Sequence, residues 1–597
     1  MVRVGVPVSW CVVCTHVMGA VGAVHVLPGV VLWPMHVDIV PNRTSRPAIL
    51  LREAWREDGR VRKRTVANLT GVISVEQALS LRRVLKGEAL VAPADAFEVV
   101  RSLPHGHVLA VLAAMKRLGI EGLLASRPSR ERSVIAALVA FRVLSPKSKL
   151  ATTRAWRDTT LAAELGVQGA DEHAVYHAMD WLVSRQERIE GKLAARHLSE
   201  GARVMFDLSS TYVEGEKCRL ARFGYNRDKK KGKRQINFGL LTDTAGRPIA
   251  LPVFPGNAGD ASTLLPQVSK LKERFGLTSF TLVGDRGMIA GTHLDALRAG
   301  GVDWVTALKS DGLKKLVVDG VIQPCLFEEE NLAEVTHADF PGERLIACRN
   351  PVLGRLRAHK RQELLAATRR ELDRVVKSVR RGRLQGKAKI GLRVGEKLSK
   401  YHMGKHFKLG IQDDAFSYEV DQESVAAEAA MDGIYVIRTS VSEEALSAAD
   451  AVRAYKDLSK VERAFRTHKS VDLQVRPIHH HLDDRVKAHL FICMLAYYVR
   501  WHMERAWASL TFKDEEANEE RDPVAPAQRS TAATTKAQTG TLTGGSPART
   551  FKGLLEHLAT ITMNTCRHPE TGVTFPMTTS PNPTQQKALD LLKSINL

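Results

Sequence analysis

Three acidic residues sit where carboxylates are costly or conspicuous. Asp207 lies inside the apolar run VMFDLSS, Asp285 closes a second such run, FTLVGDRG, and Glu462 belongs to AYKDLSKVERAFRTHK. A charge within an apolar strand is expensive unless it is paired or metal-bound. Period-two alternation puts Met205, Asp207 and Ser209 on one face of the first strand, with Val204, Phe206 and Leu208 on the other. Glycines on both sides of Asp285 and Arg286 let a ligand approach the backbone. On a helix turning about 100° per residue, Tyr455, Glu462, Arg466 and Lys469 share one face. Beside them runs an apolar stripe of Ala454, Leu458, Val461 and Phe465, suited to packing on a sheet. Two strand-borne aspartates and one helix-borne glutamate can hold two Mg2+ ions, or Mn2+ in their place, about 3.5–4 Å apart. One ion would activate an attacking water or 3′-hydroxyl, and the other would stabilise the leaving oxygen of an in-line phosphodiester displacement. Plainer roles stand beside this one: Asp285 paired with Arg286, Asp207 capping a turn, or Glu462 in an i,i+4 pair with Arg466.

These residues need elements to position them. From Gly201 the pattern reads as three successive strands (ARVMFDLSSTYVEG, RQINFGLLTD, RPIALPVFPG), then a helix, the strand ending at Asp285, a helix, and the strand DWVTALKS. That order predicts a mixed α/β layer fold. Residues 35–198 open on basic, strand-like sequence and become helical from about Ser74, a region compatible with DNA binding. The catalytic domain is expected over 199–310 and 432–512, split by an inserted subdomain at 311–431. Within the insert KKLVVDGVI, ERLIACRN and FKLGIQDDAFSYEVD read as strands, around a long basic helix at HKRQELLAATRRELDRVVKSVRRGR. A single long helix is expected from about Ser447. Residues 513–548 have the composition of a flexible linker, and 549–597 read as a tail with one short helix. Residues 1–34 read as a non-essential extension.

The chain has 87 Lys and Arg against 65 Asp and Glu, a formal charge of +22, which points to a polyanionic partner. The loop GYNRDKKKGKRQ concentrates this charge, and Lys229, Lys230 and Lys231 are candidate DNA contacts, with plain solvation as the alternative. Seven cysteines show no disulfide spacing, which fits a reducing cytoplasm, and Cys11 and Cys14 form a lone CxxC. No apolar stretch is long enough to span a bilayer. His479, His480 and His481 invite a metal reading, yet three successive residues cannot all face one ion, so a loop is expected. Trp304 in DWVTALK can stack on an unpaired base or fill the core.

Taken in order, Asp207 in FDLSSTYVEG, Asp285 in VGDRG and the run Tyr455, Glu462, Lys469 resemble the bacterial insertion-sequence transposases of the DDE class, in the insertion-sequence-four-like group. Asp285 follows Asp207 by 78 residues and Glu462 follows Asp285 by 177, which leaves room for that group's insertion. The resemblance implies an RNase H-like catalytic domain, Mg2+-dependent cleavage and strand transfer at the ends of a mobile element, and a homodimer on DNA in a bacterial cytoplasm. Its partners would be terminal inverted repeats and target DNA. It also implies that Tyr455 and Lys469 contact DNA near the reacting phosphate, with Arg463 beside them. One position departs: the group's pattern has Arg three residues after Tyr, where this chain has Leu458, a member of the apolar stripe. Arg466 would take over that phosphate contact. Two other readings remain open, a catalytically inactive sequence-specific DNA-binding protein derived from a transposase, and an RNase H-like nuclease acting on RNA–DNA hybrids.

Overall fold

The computed structural model describes residues 35–43, 45–88, 96–228, 230–289, 291–516, 522–542 and 544–596. The proposed extension 1–34, with Cys11 and Cys14, and Lys229 lie outside the described residues. The chain forms two compact units, one within Met1–Val100 and Cys566–Phe575, the other within Arg101–Thr565 and Pro576–Leu597.

In the first unit, strands β1 (Met35–Val40), β2 (Ala48–Glu57) and β3 (Arg60–Asn68) form an antiparallel sheet in that order. Asp58 and Gly59 both take positive φ, 50° and 73°, the backbone a tight two-residue hairpin needs. Helix α1 (Val75–Val84) opens on a capping box between Ser74 and Gln77 and supplies Ala78 to a small core with Val37 and Ile49.

The second unit is organised by a nine-stranded mixed sheet. Its strands are β4 (Ala202–Tyr212), β5 (Gln235–Thr242), β6 (Pro248–Ala250), β7 (Val253–Pro255), β8 (Phe280–Gly284), β9 (Asp303–Ala307), β10 (Leu332–Val335), β11 (Arg344–Arg349) and β14 (Ile434–Thr439). A hairpin of β12 (Phe407–Ile411) and β13 (Phe416–Val420) stands apart from it. The sheet order is β10-β11-β14-β9-β8-β4-β5-β6, with β7 also on β5. β4 pairs antiparallel with β5 and parallel with β8, and β8 is parallel to β9. Five positions in the order third-second-first-fourth-fifth, with the first strand central, are the RNase H-like arrangement. The expected third strand divides into β6 and β7 on either side of Leu251 and Pro252.

The alternation in β4 divides the core in two. Val204, Phe206 and Leu208 join Leu264, Leu271, Leu294 and Leu297 from the helical segments on one face. Met205 joins a larger core on the other face, built from helices α2 (Gly106–Arg117), α3 (Arg130–Leu144), α4 (Glu172–Val183) and α9 (Asp483–Ala506). Each fully buried large apolar side chain contributes about 1.5–3 kcal/mol. No helix among the described residues is long and apolar enough to cross a membrane.

The inserted region differs from its sequence reading in two ways. KKLVV is helical, Ser310–Val318, because Leu313 and Leu316 at i,i+3 bury against Ile434 and Val436. Strands β10 and β11 do not build a separate subdomain but extend the catalytic sheet beside β14. The true protrusion is the helix pair α5 (Pro351–Arg380) and α6 (Lys387–Tyr401) with the β12–β13 hairpin. α5 starts sharply because Asn350 accepts the Leu353 N–H at 3.0 Å and Pro351 occupies the first turn. The expected long helix is two, α7 (Ala448–Lys456) and α8 (Leu458–Lys469), broken at Asp457, whose carbonyl takes the Lys460 N–H three residues on at 2.8 Å.

The segments read as linker and tail are both packed. Val524 is fully buried, and its carbonyl accepts from Asn350 Nδ2 and Lys456 Nζ, each at 3.0 Å. Thr531–Thr539 is a helix capped by Ser530. Helices α10 (Phe551–Ala559) and α11 (Pro583–Leu591) join the large core through Leu554, Leu558 and Ala588, and Trp507 Nε1 donates to the Ala588 carbonyl at 2.8 Å. Leu554→Ala and Leu558→Ala are each expected to destabilise the unit by about 2–5 kcal/mol, read as a lower melting temperature. An unpacked tail would leave the melting temperature unchanged.

Candidate active site

Strand register brings the two aspartates together. Phe206 on β4 lies opposite Gly284, the last residue of the parallel strand β8. Asp207 and Asp285 are the next residue on each chain, so they emerge side by side where β8 ends. On its other side Asp207 faces Leu240 of β5. Gly287 turns the chain back under Asp285, and a Cβ there would lie 3.6 Å from Asp285 Oδ2 and 3.9 Å from Asp260 Oδ2. A fourth carboxylate therefore borders the pair.

Helix α8 lies across β4 on the Asp207 face. Leu458, Val461 and Phe465 are buried there, and the Phe465 ring meets Phe238 of β5 edge-on at 5.4 Å between centroids. This packing presents Glu462 towards the aspartates while leaving its side chain exposed. The electrostatics of Asp207 register the convergence. Burial pushes its carboxyl up, the negative charges of Asp285 and Glu462 push it further, and the result is about 6. The Leu208 N–H, 2.7 Å from Asp207 Oδ1, and the Arg227 guanidinium pull the other way. Tyr455, half-buried on α7, donates its hydroxyl to Asp285 Oδ1 at 3.2 Å, and burial together with that carboxylate raises its own ionisation.

The DNA-contact candidates divide. Arg463 and Arg466 on α8 and Lys230 and Lys231 in the basic loop are exposed. Lys469 is instead held by Asp228, its Nζ 2.9 Å from Oδ1, and Arg476 meets the same oxygen at 2.5 Å. Burial lowers the Lys469 ammonium, and Asp228 opposes that shift. Trp304 is buried in the core behind the sheet, so the stacking alternative has no exposed ring to use. His479, His480 and His481 lie in a loop before α9, and burial pushes His480 down to about 3.

Four residues at this site escaped the sequence reading: Arg227, Asp228, Asp260 and Arg476. Arg227 donates through its side chain to Asp260 Oδ1 at 2.5 Å and through its backbone N–H to Ser210 Oγ at 3.2 Å. The only signal for them was position, since Arg227 and Asp228 precede the lysine run and Asp260 follows the glycine-bearing turn GNAG.

The donor set has the chemistry a hard divalent cation requires. It offers carboxylate oxygens and no thiolate or imidazole, and a buried carboxyl destabilised by two like charges is relieved by a cation. Among the described residues, however, no three His, Cys, Asp or Glu side chains are grouped closely enough to enclose one ion. The carboxylates converge without forming a closed cage.

Sequence families locate the chain. The family described as "Transposase DDE domain" matches residues 204–499, which contain all three carboxylates, and "IS1634 family transposase, N-terminal domain" matches residues 37–95. Together the matches span more than half of the chain, which belongs to the DDE-type insertion-sequence transposases. It is a DNA transposase, of an enzyme class that cuts and joins DNA and is generally dependent on divalent metal. No curated protein sequence matches the chain. A solved structure of piggyBac transposase in a synaptic complex with hairpin DNA is similar at 8% identity and a TM-score of 0.33, over 75% of this chain and 79% of that one. That likeness is too distant to inform the site.

The raised Asp207 carboxyl has a direct consequence for stability. A carboxyl higher in the folded state than in the unfolded one keeps the fold most stable below its ordinary range, and stability falls as pH rises from about 4 through 6. In chelator, Asp207→Asn is expected to exceed wild type in stability at pH 8 by on the order of 2–3 kcal/mol. The gap should close near pH 4. Denaturant melts at the two pH values test this, and an equal gap at both would contradict it.

Proposed function

We propose that Asp207, Asp285 and Glu462 are the catalytic carboxylates of this transposase and that they hold two Mg2+ ions. The convergence of two strand-end aspartates and a helix-borne glutamate around one buried, mutually repelling position carries this reading. Asp207 and Asp285 would be shared ligands, and Glu462, exposed on its helix, would close the set. Two ions bound there would activate a water or 3′-hydroxyl and stabilise the leaving oxygen in phosphodiester cleavage and strand transfer at the element's ends.

The chain's own groups supply the rest. The Tyr455 hydroxyl fixes Asp285 from the helix side and keeps one of its oxygens oriented. Arg227, held by Asp260, places a cation near Asp207 and favours its ionised, ligating form. Arg463 and Arg466 on α8 and Lys230 and Lys231 in the basic loop are free to take DNA phosphates, and Lys469 would act through Asp228 by anchoring that loop. We further propose that terminal inverted repeats and target DNA are the partners, that two copies act together on paired ends, and that the enzyme works in the bacterial cytoplasm.

The test is Mg2+-dependent nicking and joining of duplexes carrying the element's ends. Asp207→Ala, Asp285→Ala and Glu462→Gln are each expected to lower the rate by on the order of a hundred- to a thousandfold while retaining DNA binding, and chelator should do the same to wild type. Undiminished cleavage by any one variant removes that residue from the site. Wild type that binds the ends and cleaves in no divalent metal would be a DNA-binding derivative without catalysis.

A further inference from the structure

The helix pair α5–α6 holds more of the chain's charge than the active site does. Residues 351–401 contain 16 Lys and Arg against 4 Asp and Glu, a net +12 in a chain whose total is +22. A helix of 30 residues is about 45 Å long, the length of roughly a dozen base pairs of duplex. The pair has its own core, in which Leu372, Val375 and Val379 of α5 meet Ile390 and Val394 of α6. Its root is fixed: Arg361 forms a two-pronged ion pair with Asp432 just before β14, and α5 leaves the sheet directly from β11.

The cations are not spread evenly around α5. At about 100° per residue, Arg370, Arg374, Lys377 and Arg381 fall within about 60° of one another, diametrically opposite the Leu372 side. All four are exposed. Arg374 meets Glu371 at 3.1 Å with most of its side chain in solvent. Arg370, Lys377 and Arg381 form no ion pair among the described residues. Asp373, the nearest acid on the flank, takes the Tyr418 hydroxyl at 2.5 Å. Four cations at spacings of four, three and four residues make a straight positive ridge. A ridge of one sign costs stability through self-repulsion, and a polyanion removes that cost.

We propose that the α5 ridge is a sequence-independent clamp on duplex DNA, taking phosphates along one backbone outside the catalytic centre. This rests on the reading of the chain as a DNA transposase and adds to it a second, non-catalytic DNA contact. Long side chains on a helix exterior reach phosphates without entering a groove, so the contact sets affinity and position and reads no bases.

Full-length protein in chelator, titrated with mixed-sequence duplex over a range of salt, tests the clamp. Replacing Arg370, Arg374, Lys377 and Arg381 together by Ala is expected to weaken binding and to lower the slope of log affinity against log salt by about 3, near 0.9 for each phosphate lost. A melting temperature equal to wild type separates this from misfolding. The triple variant Arg370→Lys, Arg374→Lys, Arg381→Lys keeps the charge and should keep the slope. An unchanged slope in the alanine variant overturns the proposal, as does a lysine variant as deficient as the alanine one. A loss confined to one DNA sequence overturns the backbone reading as well. The Asp207→Ala variant separates clamp from catalysis, since it should lose cleavage and bind with the wild-type slope.

Discussion

Asp207 is an acid in the central strand of a sheet, flanked by strands on both edges and covered by a helix on its face. Removing a carboxylate from water is costly, and placing two more carboxylates beside it raises the cost. The surrounding architecture decides that these charges meet anyway. Parallel register between β4 and β8 leaves no freedom in where Asp285 emerges relative to Asp207. The burial of Val461 and Phe465 leaves little freedom in where α8 holds Glu462. The apolar core thus supplies the work of bringing like charges together, and the site keeps that repulsion as a standing affinity for cations.

The same site shows how positive charge is divided between internal and external use. Asp228 is almost fully buried and binds both Lys469 and Arg476, which ties the root of the basic loop to the end of α8 and the segment after it. Arg227, one residue earlier, ties that root to Asp260 and to Ser210 on the catalytic strand. A loop held at its root by two adjacent residues presents Lys230 and Lys231 to solvent from a fixed base. The cations that remain exposed, Arg463 and Arg466, stand on the helix that carries Glu462. Phosphate contacts and the third carboxylate are therefore carried by one rigid element, so an error in one would displace the other.

How much of this was legible in sequence depended on the range of the interaction. Local periodicity revealed the two faces of β4, and it explained Leu458 as a packing residue that is buried as expected. It also placed Tyr455 near the aspartates even though the helix breaks at Asp457, because a one-residue break changes the azimuth little. Periodicity failed where composition resembled a different state. Ala and Thr around 531–539 looked like linker, yet one cap and one buried alanine make a helix there. Val317 and Val318 suggested a strand, whereas Leu313 and Leu316 determined the fold. Arg227, Asp260 and Arg476 were invisible because their partners are distant in sequence and each pair exists only once the sheet has formed.

The position of the long insertion follows from the same sheet. Strands β11 and β14 pair with each other, so the chain leaving β11 must return to a neighbouring lane, and the ends of the excursion are fixed in advance. Closing a longer loop between fixed ends costs little more than closing a short one, about 0.6 kcal/mol for each doubling of length. An insertion there can acquire its own core and its own charge without disturbing the register that sets Asp207 against Asp285. The route back also passes through β14, which pairs with β9, and leads directly into α7 and α8. The insertion is thus joined to the glutamate-bearing helices by a single strand, so that any load the arm takes from DNA is delivered to the sheet before it reaches Glu462.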